Sequence, residues 1–262
     1  MKNLVKLLGV IALAAVIGFS FAACPEPEEE GGPTTYGDKL EFSDEQVYVV
    51  ERSEDNYFTI NYKSYTGDVT FDSVYGATPK IVGGKFSLSV GVPTSLESIN
   101  GLFSSGYEDD SFTDLKISDT TAKYATFYYF EKGNIELRRE NGAYSNIKTS
   151  GSEVTSASYT SESVWFVYVD KPVKITGKGT TETDIDEDGS KYTWKTNDLN
   201  LSLSKGWNVV CVKEEGSLSE TSGSTTYSMS VSNPGSLQWV LEDYSYWDWD
   251  DDDDDYDDYD DD

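Results

Sequence analysis

Val164-Trp165-Phe166-Val167-Tyr168-Val169 places six β-branched or aromatic residues in a row, apolar on both sides of an extended chain. A run this short and this rich in strand-forming residues predicts a central strand covered on both faces. Thr126-Phe127-Tyr128-Tyr129-Phe130 reads the same way. Around these two, apolar residues alternate with small or polar ones. Phe86, Leu88, Val90 and Val92 share one face; so do Leu199, Leu201 and Leu203; so do Phe58, Ile60 and Tyr62; and Val173 and Ile175 repeat the pattern on a shorter scale. These are strands with one wet face, the habit of antiparallel sheets.

Gly83-Gly84, Lys132-Gly133-Asn134, Asn141-Gly142 and Lys205-Gly206 carry turn chemistry and predict hairpins between those strands. No stretch of ten residues has a helical period, and residues 94–103 hold a single short turn at most. The expectation is an all-β domain over residues 36–241, an antiparallel β-sandwich or partly open barrel in which two sheets bury their apolar faces against each other. The Ser/Thr-rich stretch 149–163 has no apolar pattern, and it marks the place where this domain would divide if it were two smaller sandwiches.

Composition narrows the chemistry. The 262 residues include 48 Asp and Glu against 20 Lys and Arg, a net charge of −28, no His and two Cys. Without imidazole, Ser-His-Asp and Cys-His nucleophiles and His-bound zinc are excluded. Two cysteines build neither a disulfide framework nor a Cys-rich metal site. A pI near 4.1 offers no basic footprint, so no nucleic-acid partner is expected.

The amino terminus has the order of an export signal: Lys2 and Lys6, an apolar run of 13 residues from Leu7 to Phe19, then Phe21-Ala22-Ala23-Cys24. The run is too short for a membrane-spanning helix and fits the core of a signal peptide. With small residues before a cysteine, the segment resembles the lipobox of bacterial lipoproteins. That resemblance implies cleavage after residue 23 and acylation of Cys24, which would become the anchor to the membrane. It further implies a lipid-anchored protein of the bacterial cell envelope, at the outer membrane or cell surface. Two or more acyl chains hold a protein stably at a bilayer, at ~0.8 kcal/mol per buried CH₂. Residues 24–35, with Pro25, Pro27, Gly31, Gly32, Pro33 and four glutamates, read as an extended acidic tether. The other cysteine, Cys211, lies in Val209-Val210-Cys211-Val212 and reads as a small buried apolar residue. Phrases such as Tyr168-Val169-Asp170-Lys171 and Leu203-Ser204-Lys205-Gly206-Trp207-Asn208 also look like bacterial surface lipoproteins, a resemblance that implies no mechanism.

Three places offer binding chemistry. Asp184-Ile185-Asp186-Glu187-Asp188-Gly189 matches the first half of a calcium loop, in which alternate carboxylates converge on one ion. The position that would supply the closing bidentate Glu is Lys195, so calcium competes with an exposed acidic hairpin tip between 173–178 and 191–194. Trp194 and Trp207 adjoin a loop and a turn and are the tryptophans expected at the surface, where their rings could stack on sugars; the alternative is that both belong to an aromatic core. An enzyme without His would have to use paired carboxylates, as glycosidases do, and no pair stands out. Residues 242–262 form an acidic tail with interspersed Tyr and Trp, expected to be disordered and to solvate the domain or attract basic protein partners. The function expected is therefore non-catalytic binding or surface interaction by a lipid-anchored β domain. The alternative is a carbohydrate-binding module or carboxylate glycosidase.

Overall fold

The computed structural model describes residues 35–53, 56–103, 112–150, 153–186, 188–219 and 221–243. The signal segment with Cys24, most of the tether and the tail from residue 244 onward lie outside the described residues. The first described strand begins at Thr35, and Glu242 and Asp243 belong to the last described strand.

Among the described residues, nineteen strands and one 3-10 turn, Ile99–Gly101, follow one another. The first half contains β1 Thr35–Gly37, β2 Leu40–Ser53, β3 Asn56–Ser64, β4 Val69–Thr70, β5 Lys80–Val82, β6 Lys85–Val90, β7 Glu97–Ser98, β8 Phe112–Ile117, β9 Lys123–Phe127 and β10 Tyr129–Lys132. The second contains β11 Ile135–Ser150, β12 Glu153–Val169, β13 Val173–Gly179, β14 Thr181–Ile185, β15 Lys191–Thr196, β16 Leu199–Leu203, β17 Gly206–Ser219, β18 Ser222–Val231 and β19 Gln238–Asp243. The protein is all-β, as the alternations predict, and its sheets do not close into a barrel. The main sheet runs β14-β15-β18-β17-β12-β11-β19-β2-β6-β5-β4, and a small sheet runs β16-β13-β8. Pairing is antiparallel except for β15 with β18 and β19 with β2.

The Val164–Val169 run explains the layering. Val164, Phe166 and Tyr168 point into one core, with Phe86 and Leu88 of β6, Phe42 of β2 and Trp239 of β19. Val167 and Val169 point the other way, into a second core closed by Val173 and Ile175 of β13 and Leu199, Leu201 and Leu203 of β16. The neighbouring strand β17 does the same, with Trp207, Val209 and Cys211 in the first core and Val210 in the second. The two central strands thus carry an apolar core on each face, within the sandwich-like all-β fold that the alternations predict. An apolar run without alternation is what such a position requires. Cys211 is a free, buried thiol, and burial pushes its pKa up to about 11.

Several local expectations need correction. The run 126–130 is not one strand: the chain bends at Tyr128, so that β9 pairs with β12 while β10 pairs with β11. Asn141-Gly142 is not a turn but lies inside β11, facing Glu162 and Ser161. Lys205-Gly206 joins β16 of the small sheet to β17 of the main one, so it is a crossing between layers and not a hairpin. The Ser/Thr-rich stretch is no boundary within the described residues. From residue 153 on it is β12, paired with β11 on one side and β17 on the other. Gly83-Gly84 does turn β5 into β6, with φ of +56° and +77°, the pair of left-handed residues a tight hairpin needs.

Candidate functional site

Trp207 is not at the surface. It is 0% exposed, and its indole N–H donates to Gly91 O at 3.0 Å. The cause is Gly206, whose φ of +100° and missing Cβ let the backbone of Gly37 pass so closely that a Cβ would lie 2.3 Å from Gly37 O. Strand β1 therefore closes over the start of β17, and the ring that follows the glycine packs against Phe127, Tyr168 and Tyr75. Trp207 is a core residue. Trp194, by contrast, stays 36% exposed on β15, its ring 6.3 Å from that of Tyr192. Trp239 is buried in the first core, and Trp165 packs at the margin of the second.

The acidic loop is the tip of the β14–β15 hairpin, while β13, expected to form one arm of it, lies in the small sheet. Asp188 Oδ1 accepts from Ser190 N at 2.9 Å, which holds that carboxyl below its usual range. Asp184 Oδ1 accepts from Ile185 N at 2.9 Å. Asp186 N donates to Ser190 O at 2.9 Å, closing the turn. Among the described residues no three carboxylates gather as a metal site; Glu187 lies outside them. Cys24, too, lies outside them.

Two arrangements that the sequence reading missed carry more chemistry. The first follows from the bend between β9 and β10, which turns the Tyr128 ring outward to 47% exposure. Tyr129 meets it edge-on at 4.4 Å, and Trp165 lies 6.5 Å away. Arg138, opposite Tyr129 in the β10–β11 register, sets its guanidinium 5.9 and 5.8 Å from the two tyrosine ring centroids. Glu136 Oε2 accepts from Arg138 Nε at 2.9 Å and from its Nη2, which fixes the guanidinium in place. The result is a cation and two rings held ready at the surface, suited to stacking and to donating hydrogen bonds.

The second is a buried polar cluster. Glu214 of β17 is 6% exposed, and burial lifts its pKa above the usual carboxyl value. Tyr159 of β12 donates to Glu214 Oε1 at 2.8 Å, and its oxygen lies 2.6 Å from Thr225 Oγ1 of β18. Tyr227 adds a further hydrogen bond to the carboxyl. Gly216, directly opposite Tyr159, makes room: a Cβ there would sit 2.3 Å from the tyrosine ring. The signal for this cluster was the alternation of Glu214, Gly216 and Leu218 on one face, but without a strand assignment for 153–163 nothing placed Tyr159 beside it.

Against known proteins, no family model matches the chain, and no curated protein or solved structure matches it significantly.

Proposed function

We propose that the protein is a lipid-anchored component of a bacterial envelope, at the outer membrane or cell surface, whose β domain binds a partner and performs no reaction of its own. The order Lys2, apolar run, Ala22-Ala23-Cys24 and acidic tether supports the anchoring. The observation that carries the binding role is the Tyr128, Tyr129 and Arg138 cluster: rings outside both cores, beside a cation immobilised by Glu136. The carboxyl with a raised pKa, Glu214, is engaged by tyrosine hydroxyls, which favours a structural part for it over general acid catalysis. An outward-facing tyrosine beside a fixed hydrogen-bond donor suits the face of a sugar ring, and this is the ligand class the cluster favours.

The test has two arms. Detergent-phase partitioning of the wild-type protein and of Cys24→Ser should show the variant soluble or retained as an uncleaved precursor; a variant of mature mass that still enters detergent overturns the anchor. A glycan array probed with the wild-type protein and with Tyr128→Ala should show binding that the substitution removes. Equal binding by both overturns the site.

A further inference from the structure

We infer that the outer edge of β14 is a docking edge for an extended basic peptide, which would add as a strand to the main sheet. The sheet ends at β14, and among the described residues no strand pairs with its outer side. The hydrogen-bond phase is set by Thr196 N donating to Thr180 O at 2.8 Å and Asp186 N donating to Ser190 O at 2.9 Å. Residues 180, 182, 184 and 186 therefore turn their backbone groups toward β15, and those of Thr181, Thr183 and Ile185 turn outward. Asp184 caps one of these with its own carboxylate, at Ile185 N, so the unoccupied ladder positions are at Thr181 and Thr183.

The side chains state what fits. Glu182 and Asp184 lie on one face, in register with Trp194 and Tyr192 of β15. A lysine or arginine on an added strand would therefore meet two carboxylates with the exposed Trp194 ring close behind them, a combination of charge pairing and cation–π contact. The same arrangement disfavours a second copy of this chain. An antiparallel β14–β14 pair that keeps its faces sets Glu182 against Asp184, Glu182 against Glu182 or Asp184 against Asp184, and like charges directly opposite one another destabilise a sheet. Acidic residues on an edge discourage self-association while leaving a cationic strand welcome.

The probes are two synthetic peptides of equal length and charge, Thr-Lys-Thr-Lys-Thr-Lys-Thr and a variant with the central lysine and a flanking threonine exchanged and a proline in place of the other flanking threonine. They are titrated into the full-length protein and followed by tryptophan fluorescence and by amide exchange of residues 181–185. The strand-competent peptide should protect the amides of Thr181 and Thr183 and perturb Trp194, and the proline variant should not. The acidic carboxyl-terminal tail attracts both equally, so the difference between them reads the edge. Glu182→Lys should weaken binding about tenfold or more, since a like charge then faces the peptide. Thr183→Pro should abolish binding while leaving the β14–β15 ladder intact, because the lost N–H points outward. Equal binding of the two peptides, or binding indifferent to Thr183→Pro, overturns the proposal.

Discussion

The Tyr159 hydroxyl donates to Glu214 Oε1 at 2.8 Å and lies 2.6 Å from Thr225 Oγ1, so one phenol ties together three neighbouring strands, β12, β17 and β18. This part of the sheet lies beyond the apolar cores and is built largely of Ser, Thr and Gly, whose side chains bury little area. Here a satisfied polar cluster takes the place of packed hydrocarbon. Tyr159→Phe keeps the ring over Gly216 but removes the hydroxyl, leaving Glu214 and Thr225 short of a partner in a buried setting. The expected loss is about 1–3 kcal/mol of unfolding free energy, measured by denaturant titration.

Glu214 itself should make stability depend on pH. Burial raises its pKa in the folded chain, so the folded state holds the proton more tightly than the unfolded state. Its favourable contribution is then fully present below the unfolded carboxyl value of 4.5 and is lost as pH rises through the folded value. Glu214→Gln mimics the neutral acid at every pH. The melting temperature of the variant minus that of the wild type should therefore grow as pH rises from 4 to 8. The exposed carboxyls with lowered values, Asp119, Asp188 and Asp198, act alike in both proteins and cancel from that difference.

What the sequence disclosed depended on whether apolar side chains did the work. The alternations at Phe86, Leu88 and Val90 and at Leu199, Leu201 and Leu203 each report a face turned to a core, and each is a strand. The unbroken Val164–Val169 run reported burial on both faces, though nothing in it could say that the small sheet of β13 and β16 covers the second face. Where backbone pairing and polar contacts hold a strand, the pattern was silent. β12 before Val164 is mostly Ser and Thr, and its partners include Gly216 and Glu214, so it read as a linker. Gly142 read as a turn because glycine permits one, but as a buried residue of β11 opposite Ser161 it adds nothing to bend the chain. Trp207 read as exposed because it follows a turn glycine, while the decisive fact, the passage of Gly37 over Gly206, joins residues far apart in sequence. Of the candidate site, Trp194 was legible from its neighbourhood to the acidic loop. Tyr128 was not, since its exposure arises from a bend that breaks an otherwise uniform aromatic run.

Gly206 should tolerate no side chain. An alanine there meets both a left-handed backbone and the carbonyl of Gly37, and backbone cannot move aside as a flexible side chain does. The cost expected of Gly206→Ala is about 2 kcal/mol or more, with β1 displaced from β17. Amide exchange should show the change first at residues 35–37 and 207–208, where the two strands pair.

Asn208, which follows in β17, is fully buried and spends its whole side chain on this crossing. Its Oδ1 accepts from Ser204 N at 2.9 Å, and its Nδ2 donates to Ser204 O at 2.8 Å, to Gly206 O at 2.9 Å and to Val167 O at 3.3 Å. The amide thus folds the 204–206 link back on itself and fastens it to the central strand. Asn208→Asp keeps size and shape but replaces the donor by a carboxylate oxygen facing three carbonyls. Asn208→Leu removes donor and acceptor together. Both should destabilise the domain, by about 2–5 kcal/mol, because buried backbone groups lose their partners. The aspartate variant should recover part of the loss as pH falls and its carboxyl protonates to regain one donor, whereas the leucine variant should not. A pair of denaturant titrations at pH 4 and pH 7 separates them: equal pH responses in the two variants would mean that this amide fills space and does not hold the link between the sheets.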